Sequence, residues 1–292
     1  MFKSYAVTLL TYVIALAVAL CISSNTAEMS QWQMILAGYL SATVVIFIAS
    51  QLFCNSSLYD PFWSVAPVPV VLYLAFWPIS EEINLEKILL IVIPILFWAF
   101  RLTINWLRDW KGLSDEDFRY LNLKKKPFSF LIDLFGIHIY PTLQVYFSLL
   151  PIYFALSIIT KEANIALYAS SLFTFFAVIL ETVSDEQMRT FRHTYGNEGI
   201  TMKKGLWQYS RHPNYLGEIL FWWGLFFMTI SLDTNYWYLF VCPLVMNLMF
   251  SLITCRMMDQ RSLERRSDYE AYMHSTRQLI IWKSDKRGQA YD

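Results

Sequence analysis

The sequence lacks an excess of charge of either sign, and it lacks the cysteine spacings of metal sites and disulfide frameworks. Its 23 basic and 23 acidic residues give a formal net charge of zero, so no overall basic field favours a nucleic-acid partner. The four cysteines lie in or beside apolar runs, where they are expected to be small buried hydrophobic residues. We therefore predict neither a metal site nor a nucleic-acid partner.

Several catalytic signatures are also missing. There is no G-x-G-x-x-G after a strand pattern, no P-loop, no H-E-x-x-H and no G-x-S-x-G. The Glu-x-x-His pairs of di-iron bundles are absent as well. These absences leave soluble nucleotide-binding folds, zinc proteases and serine hydrolases without support.

What the sequence has instead is apolar length. Hydrophobic residues make up 56% of the chain, compared with roughly 45–50% in soluble domains, and the mean hydropathy is +0.39. Eight runs have the length that a bilayer requires of a helix. They cover residues 5–23, 33–54, 62–80, 88–107, 134–159, 164–185, 215–232 and 236–255. The sequence therefore predicts an all-α, polytopic integral membrane helix bundle, whose first span is retained rather than cleaved as a signal peptide.

The distribution of basic residues predicts the orientation of the bundle. Basic residues are frequent between the fourth and fifth spans, between the sixth and seventh, and in the tail. The opposite loops are poor in them, with Glu81, Glu82, Glu86 and a single Lys87 in one, and Asp233 in another. The positive-inside rule then predicts that both termini are cytoplasmic.

Polar residues inside or at the edge of a span are functional candidates, because each is costly in lipid. At the end of the sixth span, Glu181, Asp185, Arg189 and Arg192 recur at spacings of four, four and three, so they share one helix face. A solvated helix end with ion pairs would account for residues 186–192. It accounts less well for Glu181 and Asp185, which directly follow the apolar run FTFFAVIL, so we interpret the stripe as facing a ligand.

A second cluster opens the seventh span with the sequence RHPNYLGE at 211–218. Asn214 and Glu218 are four residues apart and face the same way, and Pro213 fits the first turn of a helix. Free amides at a helix start, with Arg211 and His212 beside them, would accommodate a phosphate or another anion. For His212, a capping or interfacial role is an equal alternative.

Two further polar stretches complete the set. The tail begins with a mixed-sign helix, which also suits a positive-inside stop signal. The spacing of Tyr269 and Tyr272 and the apolar residues 279–282 predict that the tail folds back against the bundle. Tyr59 and Asp60 enter the third span, where Asp60 before Pro61 equally suits a helix cap.

These motifs resemble a known family when taken in order. The sequence resembles the membrane steroid 5-alpha-reductase superfamily in three motifs. They are E-x-x-S-D followed by an arginine at 192, the stretch RHPNYLGE, and an arginine-rich tail helix that ends in Y-x-x-Y. The likeness is closest to a poorly characterised, mostly bacterial branch. It covers the third span to the C-terminus, so we predict N-terminal transmembrane helices over 1–54 and a catalytic domain with a cytoplasmic tail over 55–292.

The resemblance implies an enzyme that binds NADPH from the cytoplasmic side. It would reduce a carbon–carbon double bond conjugated to a ketone, in a sterol, quinone-like or fatty substrate arriving from the bilayer. The residues that match the family's cofactor contacts are Asp185, Arg192, Asn214, Glu218, Arg256 and Arg261. The predicted cofactor site also includes their neighbours Glu181, Arg211, His212 and Tyr215. At the position of Glu181 the steroid reductases have an asparagine.

The resemblance also implies the catalytic residues. The family's catalytic stretch QELPSFAVP aligns without gaps with YDPFWSVAP, which places Tyr59 and Asp60 at the Gln-Glu pair. The family's proton-donating tyrosine, three residues before an arginine, corresponds to Trp98 before Arg101. Tryptophan cannot protonate a substrate, so either Tyr59 supplies the phenol or the substrate carbonyl is held differently. A buried Asp60 would stay protonated and able to donate.

Two other functions remain open at this point. Isoprenylcysteine carboxyl methyltransferases carry a similar RHPxY stretch, so an S-adenosylmethionine-dependent methyltransferase is the alternative enzyme. The many cytoplasmic arginines favour NADPH, because only NADPH carries phosphates. A non-enzymatic lipid-binding or transport bundle is the third possibility, although its polar groups would be expected to form a midplane path. The resemblance fits a bacterial inner membrane and leaves the oligomeric state open.

Overall fold

A computed structural model describes residues 1–25, 28–76, 84–158, 162–196 and 199–280. Over these residues the chain is helical, and eight helices are long and apolar enough to cross a membrane. In chain order they are Phe2–Asn25 (α1), Gln31–Leu52 (α2), Ser56–Phe76 (α3), Leu85–Asp109 (α4), Ser129–Ser157 (α5), Ile165–Tyr195 (α6), Pro213–Leu232 (α7) and Thr234–Arg265 (α8). The predicted fold class and span number are confirmed: the protein is a multi-pass integral membrane protein. The cytoplasmic placement of both termini stays a prediction.

Two helices continue beyond the predicted spans. α6 extends to Tyr195, ten residues past the predicted end, and stops at Gly196, whose φ of 64° ends the helix. α8 likewise continues to Arg265. The predictions were too short because they followed apolar runs, whereas a helix continues into water when its polar residues are good helix formers.

Two spans are irregular. α3 consists of a short 3-10 helix, Ser56–Tyr59, and the helices Phe62–Val65 and Pro67–Phe76, because Pro61 and Pro67 cannot donate backbone hydrogen bonds. α5 includes a π-helical segment, Ile132–Ile139. π-helical segments are rare and are often found at functional sites. The predicted end of the third span at 77–80, residue 159 of the fifth, and the loop acids Glu81 and Glu82 lie outside the described residues.

The chain divides into two compact units. The first comprises Met1–Ile83 and Ile95–Ser157, and the second comprises Asn84–Pro94 and Ile158–Asp292. The division falls within α4 next to Pro94, which interrupts the backbone hydrogen bonds of that helix. The predicted boundary between residues 54 and 55 is a different division and stays a prediction.

Candidate functional site

The second unit is built around the close approach of α6 and α7. At Gly217 a Cβ atom would lie 2.7 Å from Cβ of Glu181 and 2.9 Å from the carbonyl oxygen of Ala177. Two turns further along α7, a Cβ at Gly224 would lie 2.1 Å from Oγ1 of Thr174. Only glycine allows this approach, and close packing of small residues is a main source of helix association in lipid.

The glycines bring four polar residues together, which we call the polar seam: Glu181, Asp185, Asn214 and Glu218. Glu181 and Glu218 are buried, with 5% and 3% of their surface exposed. Nδ2 of Asn214 donates to Oδ1 of Asp185 at 3.2 Å. Trp222 Nε1 donates to Oε1 of Glu218 at 2.9 Å. The structure thus confirms that Asn214 and Glu218 lie on an inward part of α7, with Asp185 beside Asn214.

One atom of the polar seam stands out. Oδ1 of Asn214 is shielded from solvent and accepts no hydrogen bond from any residue that the structure describes. A buried amide oxygen without a donor costs about 1–3 kcal/mol. The seam therefore has an acceptor ready for a donor outside the described chain.

Arg211 and His212 are held by a buried carboxylate. Arg211 donates from Nη2 to Oδ2 of Asp259 at 2.9 Å and from Nε to Oδ1 at 3.3 Å. His212 Nε2 lies 2.8 Å from the same Oδ1, and the hydroxyl of Tyr269 donates to it at 2.6 Å. Burial raises the pKa of Tyr269, which keeps its phenol protonated as a donor. Asp259, only 5% exposed, is the centre of this carboxylate hub.

The tail closes over the same corner. The backbone amides of Arg211 and His212 donate to the carbonyls of Arg277 and Gln278, at 2.9 and 3.1 Å. Arg211 Nη1 also donates to the carbonyl of Thr276 at 2.7 Å, and Tyr272 donates to the carbonyls of Trp207 and Ser210. The predicted return of the tail is confirmed as far as Gln278, whereas Ile280 is exposed and residues 281–282 lie outside the described residues. Pro213 begins α7 as predicted.

The remaining cofactor candidates are more accessible. Arg192 and Arg256 are exposed, and Arg261 is half-buried. Tyr215 stacks on the ring of His212, with centroids 5.5 Å apart, and packs against Phe250. Arg211 has most of its donors committed to protein groups.

In the first unit, Tyr59 belongs to a chain of buried hydroxyls. Its Oη lies 2.8 Å from Oγ1 of Thr142, which lies 2.7 Å from Oγ1 of Thr43. Thr43 donates its single proton to the carbonyl of Tyr39 at 2.8 Å. Thr142 must therefore donate to Thr43, and Tyr59 must donate to Thr142. The direction of these hydrogen bonds therefore commits the Tyr59 hydroxyl proton to Thr142.

Asp60 has a different partner. The hydroxyl of Tyr120 donates to Oδ1 of Asp60 at 2.5 Å. Burial raises the pKa of Tyr120 well above its usual value, so the phenol remains a donor. The helix Phe62–Val65 begins without a side-chain cap, so the capping alternative for Asp60 is not what the structure shows. Trp98 is fully buried.

Sequence reasoning missed several of these partners. Tyr120 lies sixty residues from Asp60, and Asp259 lies forty-eight from Arg211, so no local spacing connects them. A further buried group lies at the π-helical segment of α5, where Asp133 accepts from Gln51 and Ser56. His138 lies 3.2 Å from Asp133 Oδ1 and 3.1 Å from Ser50 Oγ.

This Ser50–His138–Asp133 order is that of a hydrolase triad, but its burial argues against one. Ser50 and His138 are 1% and 0% exposed, whereas a nucleophile must reach its substrate. Asp133 is also engaged by four neighbours, including Lys124 at 3.6 Å. We assign the group a structural role, in which it satisfies the polar atoms of the π-helical segment.

A comparison with protein families now identifies the chain. The model of the family described as "Protein of unknown function (DUF1295)" matches residues 46–276. The chain belongs to this family. The family match includes every candidate site residue from Tyr59 to Arg261, and it begins within α2 and leaves α1 outside.

One relative of this chain is likewise without an assigned activity. An uncharacterised protein of the fission yeast Schizosaccharomyces pombe is 26% identical over 193 residues. The alignment covers 58% of this chain and 56% of the relative, so the chain matches little more than half of that protein. No solved structure matches the chain. The match adds no activity to the one that the residues suggest.

Proposed function

We propose that this protein is a membrane oxidoreductase that uses NADPH to reduce a conjugated carbon–carbon double bond in a lipophilic substrate. The observation that carries the proposal is the polar seam, with its solvent-shielded acceptor on Asn214 between an acidic residue of α6 and a buried glutamate of α7. The sequence resemblance to steroid 5-alpha-reductases supports the same residues. The proposal includes a cytoplasmic cofactor entrance and a substrate taken from the bilayer.

The residues of the second unit fit NADPH chemically. Carboxamide and ribose groups offer hydrogen-bond donors, which Asn214 Oδ1 and the seam carboxylates can accept. The phosphates need cations. Arg192 is exposed near the end of α6, and Arg256 is exposed in the last third of α8. Arg211 and His212 hold the corner in place through Asp259 rather than supplying this charge.

The sequence resemblance assigns the proton chemistry to Tyr59 and Asp60, which belong to the first unit. Bound NADPH would deliver a hydride to the carbon beta to a carbonyl, which leaves negative charge on the carbonyl oxygen. Asp60, supported by the Tyr120 hydroxyl, is the acid that we assign to this charge. Tyr59 supports the site as an oriented hydroxyl, because its proton is donated to Thr142. Tyr59 is buried and Asp60 is half-buried, which limits access of competing water.

Replacement of Glu218 by glutamine is expected to weaken NADPH binding about tenfold. Glutamine keeps an acceptor for Trp222 but removes the charge that strengthens hydrogen bonds to the ligand. Titration of purified protein with NADPH, followed by nicotinamide fluorescence, measures the effect. Glu270→Gln, at an exposed tail position, is the matched control and should leave the affinity unchanged.

The same titration separates the two enzyme classes. A parallel binding experiment with S-adenosylmethionine is expected to show no saturable signal. Tight binding of the methyl donor by wild-type protein, without an NADPH signal, would replace the reductase proposal with a methyltransferase. Equal NADPH affinity in the Glu218 and Glu270 variants would remove Glu218 from the site.

Replacement of Asp60 by asparagine is expected to spare NADPH binding and to slow turnover by about 10²–10⁴, the usual contribution of a general acid. Asparagine still accepts from Tyr120, so the fold around it is retained. NADPH consumption with a panel of lipophilic enones measures turnover, and Asp115→Asn in the nearby loop serves as control. A loss of NADPH affinity in the Asp60 variant would contradict its assignment as an acid.

A further inference from the structure

Tyr39 carries a buried hydroxyl that the site described above does not use. Its side chain is 4% exposed, and Oη has no hydrogen-bond partner among the residues that the structure describes. A buried phenol normally has a partner, because leaving one unsatisfied costs about as much as losing a hydrogen bond. The position lies outside the family match at 46–276.

The surroundings of Tyr39 are aromatic and shared with Tyr59. The Tyr39 ring meets Phe62 edge-on at 5.8 Å, and the Tyr59 ring stacks on the same Phe62 at 5.2 Å. The backbone carbonyl of Tyr39 accepts the hydroxyl of Thr43, the last member of the chain that begins at Tyr59. The phenols of Tyr39 and Tyr59 therefore flank Phe62. The Tyr59 hydroxyl donates its proton to Thr142, whereas the Tyr39 hydroxyl has no acceptor among the residues that the structure describes.

Tyr39 also lies in the wall of a small cavity in the first unit. The cavity has a volume of about 20 Å³ and is lined mostly by aliphatic and aromatic side chains, including Trp32, Val71, Leu74 and Ile152. That volume holds one group the size of a water molecule. A ligand that enters the cavity can therefore place only one small group in it, and the apolar walls favour a ligand whose remaining part is apolar.

We infer that Tyr39 is the hydrogen-bond donor that holds the carbonyl oxygen of an apolar ketone. A carbonyl oxygen is an acceptor of the right size for the cavity, and the apolar walls favour aliphatic substituents over a polar ligand. This assignment adds a contact to the substrate of the proposed function, and it rests on that function in one respect. The proposed reduction develops negative charge on such an oxygen, which Tyr39 would stabilise as a second donor in addition to Asp60, whereas the proton of Tyr59 is committed to Thr142.

The test uses a ligand signal that needs neither NADPH nor turnover. The probe is a linear enone, 3-decen-2-one with a ¹³C-labelled carbonyl, added to the purified full-length protein in detergent. Infrared spectroscopy is expected to show a downshifted carbonyl stretch, as hydrogen bonding to the oxygen produces. Tyr39→Phe should abolish the downshift and weaken binding about tenfold, since it removes one buried donor and nothing else.

Tyr146→Phe provides the matched control. Tyr146 lines the same cavity, but its hydroxyl already donates to the carbonyl of Trp32 at 2.7 Å. This variant should keep the infrared downshift and lose thermal stability, because it leaves a carbonyl without its donor. Without ligand, Tyr39→Phe should unfold at the wild-type temperature or above it, because it removes an unsatisfied polar atom.

Three outcomes would overturn the inference. One is a downshift that persists in Tyr39→Phe, and another is a wild-type protein that does not bind the ketone. The third is a loss of stability in Tyr39→Phe equal to that in Tyr146→Phe, which would show that a buried water already satisfies the hydroxyl. A protein that shifts the ketone carbonyl but does not bind NADPH would disprove the proposed reductase and leave the Tyr39 site standing.

Discussion

Replacement of Gly217 by alanine is expected to destabilise the second unit by about 3 kcal/mol, the upper end of the usual cost of overpacking. The new Cβ would lie 2.7–2.9 Å from Cβ and the backbone nitrogen of Glu181 and from the carbonyl oxygen of Ala177. None of these atoms can rotate away, so α7 must shift from α6. Thermal unfolding in detergent, followed by tryptophan fluorescence, measures the loss.

The shift should also reach the polar seam. Asn214 and Glu218 lie on either side of Gly217, so NADPH affinity is expected to fall together with stability. Gly136→Ala is the matched control, because its Cβ would meet only a side-chain methyl at 3.8 Å. If Gly217→Ala unfolds at the wild-type temperature, α6 and α7 do not approach each other as closely as the 2.7–2.9 Å distances at Gly217 require.

Replacement of Asp259 by asparagine is expected to cost about 3 kcal/mol or more. The change leaves the guanidinium of Arg211 partly buried without its counter-charge, and removing one partner of a buried ion pair typically costs 3–5 kcal/mol. The tail should detach, because Arg211 and Tyr269 both connect the hub to residues 266–280. Limited trypsin digestion at the tail arginines, beside thermal unfolding, measures both effects.

Asp268→Asn is the control for this experiment. Asp268 pairs with Lys203 at 2.8 Å, but its side chain is 37% exposed, and exposed pairs contribute about 0–1 kcal/mol. The tail of this variant should resist trypsin as well as wild type. Equal protease sensitivity in the two aspartate variants would mean that the hub does not hold the tail.

The sequence was a good guide to features that depend on local pattern. Apolar length predicted the eight spans, and the cost of a carboxylate in lipid predicted that Glu218 would be buried on an inward face. The period of a helix predicted that Asn214 and Glu218 would share a side. These features depend on neighbours within one or two turns, which a sequence displays directly.

The hydrogen-bond partners of those residues could not be predicted from the sequence. Asp259 was visible as one charge in a mixed-sign helix, but its selection by Arg211, His212 and Tyr269 depends on how three distant segments meet. The function of Gly217 depends on the backbone of another helix. Tyr39 looks like an ordinary aromatic residue in an apolar run until its unsatisfied hydroxyl is located.

The tail contacts described above have a consequence for biosynthesis. α7 leaves the ribosome before Asp259 and well before residues 277–278, which bind the backbone of Arg211 and His212. During that interval Arg211 has neither its carboxylate nor its carbonyl acceptors. The corner at the start of α7 can therefore mature only after α8 has been inserted and the following segment has been released, so the proposed cofactor site is among the last parts of the protein to form.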